Sequence, residues 1–235
     1  MMPAKWIQEI RPALIAVGFL QMAGHLLGPP LSFHTRSAIF FAAFSVYLAD
    51  HFFRSLWPLL VITSGAFLWT GYRADPLRWP VIAGYILLAF AYVFPLFPGK
   101  KRLQDFPWAR VVAVVGGWAL IPFILKDFSF STLRLLYVLG IAATMIPALI
   151  WSDLADAKQD QEEGRLTWTM QRSKRQLTWI SNGALLISCL CFSPGSLRIL
   201  LPLPLLYLAF SGYLNRHPQH SDWILLWPFV GSSFF

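Results

Sequence analysis

Charge is scarce in this chain. Only 13% of its 235 residues are Asp, Glu, Lys or Arg, against about a quarter in an ordinary soluble domain. With 57% hydrophobic residues gathered in long runs, that shortage excludes a soluble globule. It points to an integral membrane protein whose length suits one bundle. Cysteine is nearly absent: Cys189 and Cys191 stand two apart near one end of an apolar run. Two thiols build no disulfide framework and Cys-x-Cys is a weak metal signal, so ordinary packing accounts for them. No cleavable leader is evident in the short, mildly basic segment Met1–Arg11, and the first apolar run reads as a retained helix. Despite a net charge of +8, no basic stretch is interleaved with aromatics on a soluble module, which argues against nucleic acid as a partner. The alternation of an outer-membrane barrel is missing. So are the paired broken helices with mid-membrane charges that mark many secondary transporters.

What the chain has is apolar runs, roughly at 12–28, 37–50, 55–71, 79–97, 107–125, 132–152, 175–193, 196–214 and 221–234. Several lie near the lower limit of about 17 residues for crossing hydrocarbon. Breakers separate them, including Gly28-Pro29-Pro30, Pro98-Gly99 and Ser193-Pro194-Gly195. Backbone groups in lipid must be satisfied within the segment, so each run is expected to be a helix. The expectation is an all-α integral membrane protein, a nine-transmembrane-helix bundle forming a single domain over 1–235. Assigning alternate loops to opposite sides places most of the 19 basic residues with the N-terminus. The positive-inside rule then puts that side in the cytoplasm, with the cell inner membrane as the expected location.

The acids are placed unusually. The segment Trp151-Ser-Asp-Leu-Ala-Asp-Ala-Lys-Gln-Asp-Gln-Glu-Glu-Gly164 follows the sixth run without a break. If the helix continues, Asp153, Asp156 and Asp160 sit at i, i+3 and i+7, on one face. Three like charges on one face repel, unless water or a hard cation such as Mg²⁺ compensates them. Loop solubility accounts for Glu162 and Glu163. It accounts less well for acids that begin directly after Ile150-Trp151. The chemistry that fits is Mg²⁺ held by carboxylates and by a phosphorylated substrate, neutralising charge as diphosphate departs.

Basic residues flank the acids on the same predicted side: Lys100, Lys101 and Arg102, then Arg165, Arg172, Lys174 and Arg175. Orientation alone accounts for most of them, but a diphosphate also needs cations, and Arg grips phosphate oxygens bidentately. Lys174 and Arg54 are the leading candidates. Asp50 closes the second run beside His51 and Arg54. It reads either as a boundary residue paired with Arg54 or as a second metal or diphosphate ligand. Leu-Ala-Asp ends both the second and the sixth run, at Asp50 and Asp156. Gln21, His25 and Asn182 lie inside apolar runs. Interhelical hydrogen bonding is their first reading and a functional role their second. Phe44, Tyr47, Tyr92 and Trp118 suit an apolar tunnel, an interfacial belt or plain packing.

Taken together, these residues resemble the UbiA superfamily of intramembrane aromatic prenyltransferases. That family has nine transmembrane helices and aspartate-rich motifs at the cytoplasmic ends of the second and sixth. Its second motif, typically Asp-x-x-Asp-x-x-x-Asp followed by Gly and Thr, is matched by Asp153-Leu-Ala-Asp156-Ala-Lys-Gln-Asp160 with Gly164 and Thr167. The first motif departs from the pattern. Asp50-His51-Phe52-Phe53-Arg54 keeps one acid, with Phe53 or Arg54 where a related form carries another. The resemblance implies a central cavity open to the cytoplasm and lipid, binding a prenyl diphosphate bridged by Mg²⁺ and a hydrophobic acceptor. It implies metal-holding, catalytic roles for Asp50, Asp153, Asp156 and Asp160. Arg54, Lys101 and Lys174 would steady the diphosphate, with Tyr47 and Asn182 at the substrate. A terpene cyclase that needs no acceptor, and a non-catalytic homologue binding lipid or a membrane partner, are the alternatives.

Overall fold

A computed structural model describes residues 3–27, 31–52, 57–73, 79–99, 101–124, 131–162, 167–214, 216–218 and 224–225. These residues are almost entirely helical, with no β-strand among them. Eight α-helices are described: α1 (Pro3–Leu27), α2 (Phe33–Phe52), α3 (Trp57–Arg73), α4 (Trp79–Val93), α5 (Pro107–Leu120), α6 (Thr132–Glu162), α7 (Lys174–Phe192) and α8 (Pro202–Leu214). Among the described residues, three helical stretches are long and apolar enough to cross a membrane: Pro107–Ile124, Thr132–Lys158 and Gly195–Leu214. The ninth expected run, 221–234, lies outside the described residues except for 224–225.

Proline and glycine account for most departures from the expected boundaries. The fourth run was expected to reach 97, but α4 stops at Val93. Pro95 disfavours helix at the residue before it, and Pro98 is followed by Gly99 at φ +75°. The fifth run continues past α5 only as a 3₁₀ turn, Ile121–Ile124, which contains Pro122. The eighth splits into a 3₁₀ turn, Gly195–Leu200, and α8. The sixth gains a segment: α6 runs through the acidic stretch to Glu162. Leu154, Ala155, Ala157, Lys158, Gln159 and Gln161 are good helix formers, and no Gly or Pro interrupts them before Gly164.

The chain divides into two compact units. The first comprises Met1–Ala89, Ile121–Ser129 and Leu226–Phe235, the second Phe90–Leu120 and Phe130–Leu225. In the first unit α2 packs between α1 and α3. Phe19, Leu20, Met22 and Ala23 of α1 are fully buried. Ser45 of α2 donates to Thr63 of α3 at 2.8 Å. Such hydroxyl pairs join helices where lipid offers no competing water.

In the second unit α6 is the centre, packed by α5, α7 and α8. Its Tyr137, Ile141 and Ile150 are buried, and Trp151 stacks on Tyr207 of α8 with ring centroids 5.2 Å apart. The hydroxyls of Thr144 and Ser188 lie 2.7 Å apart and 2.9 and 3.0 Å from the Gly140 carbonyl, so their two protons are shared among three contacts. A side chain at Gly140 would fall on the buried ring of Phe192, so this glycine makes room for the α7 ring against α6. Helix α7 begins with a capping box, in which Ser173 and Gln176 each take the other's backbone N–H.

Candidate functional site

The unbroken passage of α6 from apolar to acidic sequence brings carboxylates to the end of a membrane-length helix. Helix α5 starts at Pro107, whose missing N–H costs nothing in a first turn. One turn in, Arg110 reaches across to α6. Its Nη2 lies 2.9 Å from Asp153 Oδ1 and its Nη1 lies 3.5 Å from Asp160 Oδ2. Thr169, in the 3₁₀ turn Thr169–Gln171, donates to the other Asp153 oxygen at 3.2 Å, and its hydroxyl is 2.8 Å from that of Thr167. The return of the chain towards α7 is thereby pinned to α6. Trp168 sits between, its ring 5.7 Å from that of Trp108 and under the Arg172 guanidinium.

These charges are buried. Side-chain exposure is 2% for Asp153, 5% for Asp160 and 13% for Arg110. A buried charge is tolerated only when paired, and here one guanidinium serves two carboxylates. The satisfaction is incomplete. The 2.9 Å contact between Arg110 and Asp153 lacks hydrogen-bond alignment, and Arg110 Nε and Trp168 Nε1 are buried without a hydrogen-bond partner. The close charge contact holds despite its poor alignment, because attraction between buried charges depends on distance first.

A second group of candidates meets nearby. Lys174 and Asn182 of α7 line one cleft of about 190 Å³, with Thr178, Ser181, Ser211 and the apolar Ile150, Trp151 and Leu154. Helical geometry puts Ile150 and Leu154 of the cleft within about a third of a turn of Asp153 and Asp160 round α6, and Trp151 nearly half a turn away. The cleft and the carboxylates therefore occupy adjacent faces. Polar groups with a single cation on an apolar wall suit an amphiphile whose polar end carries negative charge.

The remaining candidates fall elsewhere. Asp156 is exposed, so the expected single acidic face is divided: Asp153 and Asp160 turn inward to α5 and Asp156 turns out. Lys101 is exposed, with its ammonium 5.6 Å from the Phe106 ring centroid. Helix α2 passes through positions 47 and 50, but the side chains of Tyr47 and Asp50 lie outside the described residues, as does all of Arg54. Among the described residues, no three of His, Cys, Asp and Glu converge as a metal-holding group. Asp153 and Asp160 are engaged by Arg110, so with Asp156 they do not fit a common magnesium ion as they stand.

No protein-family model and no curated protein matches this chain.

Arg110, Trp168 and Thr169 were missed as site residues. In the sequence Arg110 counts as one more loop cation. Its signal is position: a lone charge just inside an apolar run, between Trp108 and Val111-Val112, where a charge needs a partner. Thr169 carries no such signal, since a hydroxyl near a chain turn is commonplace.

Proposed function

We propose that this chain is an intramembrane prenyltransferase of UbiA type, moving an isoprenoid chain from a prenyl diphosphate to an electron-rich aromatic or lipid acceptor. The observation that carries this reading is α6. A stretch apolar enough to cross a membrane runs without interruption into buried Asp153 and Asp160 with Arg110, and its adjacent face opens on the cleft of Lys174 and Asn182. An isoprenoid diphosphate has the same division, a long apolar tail on a strongly charged head.

In this reading the head group lies at the cytoplasmic end of α6, and Lys174, which lines the cleft, is the cation that steadies it. The allylic C–O bond breaks with its electron pair leaving on diphosphate. The acceptor attacks the resulting carbocation and then loses a proton. The protein's contribution is preorganised charge at the leaving group and apolar walls that keep water from the cation. Magnesium is the cofactor the resemblance implies. Asp153, Asp156 and Asp160 would have to rearrange to hold it, and no step is assigned to it.

The test is inorganic diphosphate release from geranyl, farnesyl and geranylgeranyl diphosphate by the purified chain, with and without aromatic and lipid acceptors. Release that depends on an acceptor and falls about 100-fold in Lys174→Ala is the expected result. Release without acceptor, with a hydrocarbon product, identifies a cyclase instead. No release with any donor favours the second reading, a non-catalytic lipid-binding homologue. The engagement of both buried carboxylates by Arg110 is the observation on that side.

A further inference from the structure

We propose that Arg110 is the resident cation of the α6 acidic end, standing where a divalent metal would be held, so that Asp153 and Asp160 share a counter-charge supplied by the protein itself.

Geometry is the first argument. Asp153 and Asp160 are seven residues apart on one helix, so their Cα atoms are separated by about 10 Å along the axis. A magnesium ion binds oxygens at about 2.0–2.1 Å, so two carboxylate oxygens on one ion lie no more than about 4 Å apart. Two aspartates that far apart reach a shared ion only by stretching towards each other. A guanidinium offers separate nitrogens on a rigid planar fork. Arg110 uses them in that way, Nη2 towards Asp153 and Nη1 towards Asp160.

Occupancy is the second argument. Asp153 gives one oxygen to Arg110 and the other to Thr169. Thr169 is itself held by Thr167. A metal at Asp153 would displace a guanidinium on one side or a hydroxyl on the other, in a place where Asp153 is buried and Arg110 nearly so. The third argument is supply. Arg110 stands on α5, one turn after its start at Pro107, and reaches both aspartates of α6. Asp156, the carboxylate best placed to add a further metal ligand, is exposed and turned out.

This inference does not depend on the prenyl substrate, and its test uses none. The full chain in detergent is melted with and without millimolar MgCl₂, following tryptophan fluorescence, to which Trp108 and Trp168 contribute from the site itself. The native chain is expected to melt at the same temperature in both. Arg110→Gln, which leaves two buried carboxylates without their cation, is expected to melt lower and to be raised several degrees by Mg²⁺, as any ion that binds only the folded state must do. Arg110→Lys is expected to stay closer to the native response. A native chain stabilised by Mg²⁺, or an Arg110→Gln chain as indifferent to it as the native one, overturns the proposal.

If Arg110→Gln does not fold, Mn²⁺ binding to the native chain, read by electron paramagnetic resonance, decides the matter. No bound Mn²⁺ that is lost on Asp153→Asn supports Arg110 as the resident cation. One equivalent that disappears in Asp153→Asn overturns it. A magnesium-responsive native chain leaves the prenyltransferase reading standing and removes this one. Failed diphosphate release does the reverse.

Discussion

Helix α6 is tied to its neighbours twice, once by hydroxyls and once by charges. Near its start Thr144 and Ser188 share the Gly140 carbonyl, with every distance between 2.7 and 3.0 Å. About 14 Å further along, nine residues at 1.5 Å each, Asp153 and Asp160 share Arg110. Pro147, which has no N–H to give the Ala143 carbonyl, lies between the two ties. In the neutral tie both hydroxyl protons have an acceptor within reach. The charged tie leaves Arg110 Nε and Trp168 Nε1 buried without partners. A device that only held helices together would gain from complete pairing. Incomplete pairing where charge is concentrated favours the second tie as the place of the proposed function.

The largest effect should come from breaking the charged tie on one side only. Arg110→Ala leaves two buried carboxylates uncompensated, a loss of about 3–5 kcal/mol for a buried pair. Unfolding in mixed micelles measures it. Combining Arg110→Met with Asp153→Asn and Asp160→Asn should recover most of the loss, since neutral groups of similar size need no counter-ion. A single-substitution loss below about 1 kcal/mol would mean that the charges behave like an exposed pair.

The comparison also shows what was readable in the sequence. Apolar runs specify helices wherever backbone groups must be satisfied internally, so α2, α3 and α7 lie close to their expected spans. The ends were less legible, because Pro95, Pro122 and Pro202 act on single turns that a run of hydrophobic residues hides. The acids were legible by spacing, and the continuation of α6 through them followed from helix formers alone. Their division into inward Asp153 and Asp160 and outward Asp156 was not legible. It depends on Arg110, more than forty positions earlier on another helix, and no local pattern couples the two. The neutral tie was invisible for the same reason: Gly140, Thr144 and Ser188 are unremarkable until α7 is laid on α6.

A middle-sized effect is expected at the close approach of the neutral tie. Gly140→Ala places a methyl group on the Phe192 ring, and overpacking of this kind costs about 1–3 kcal/mol. Thermal unfolding in detergent measures it, and Phe192→Leu in the same chain should return part of the loss. If Gly140→Ala is neutral, α6 and α7 are held further apart than described, and the hydroxyl contacts must lengthen with them.

The smallest effect separates the two ties most cleanly. Ser188→Ala removes one of two hydroxyls in contact with the Gly140 carbonyl, but Thr144 is left to donate at 2.9 Å, so no buried acceptor is left bare. Hydrogen bonds between membrane helices average about 0.6 kcal/mol, and the loss should be of that order. A double-mutant cycle of Ser188→Ala with Thr144→Val isolates the hydroxyl–hydroxyl contact from its surroundings. The coupling should stay near the same value, whereas the corresponding cycle of Arg110 with Asp153 should be several times larger. Equal couplings would erase the distinction. The charged end of α6 would then be one more packing contact, and the case for chemistry there would have to rest on the cleft at Lys174 alone.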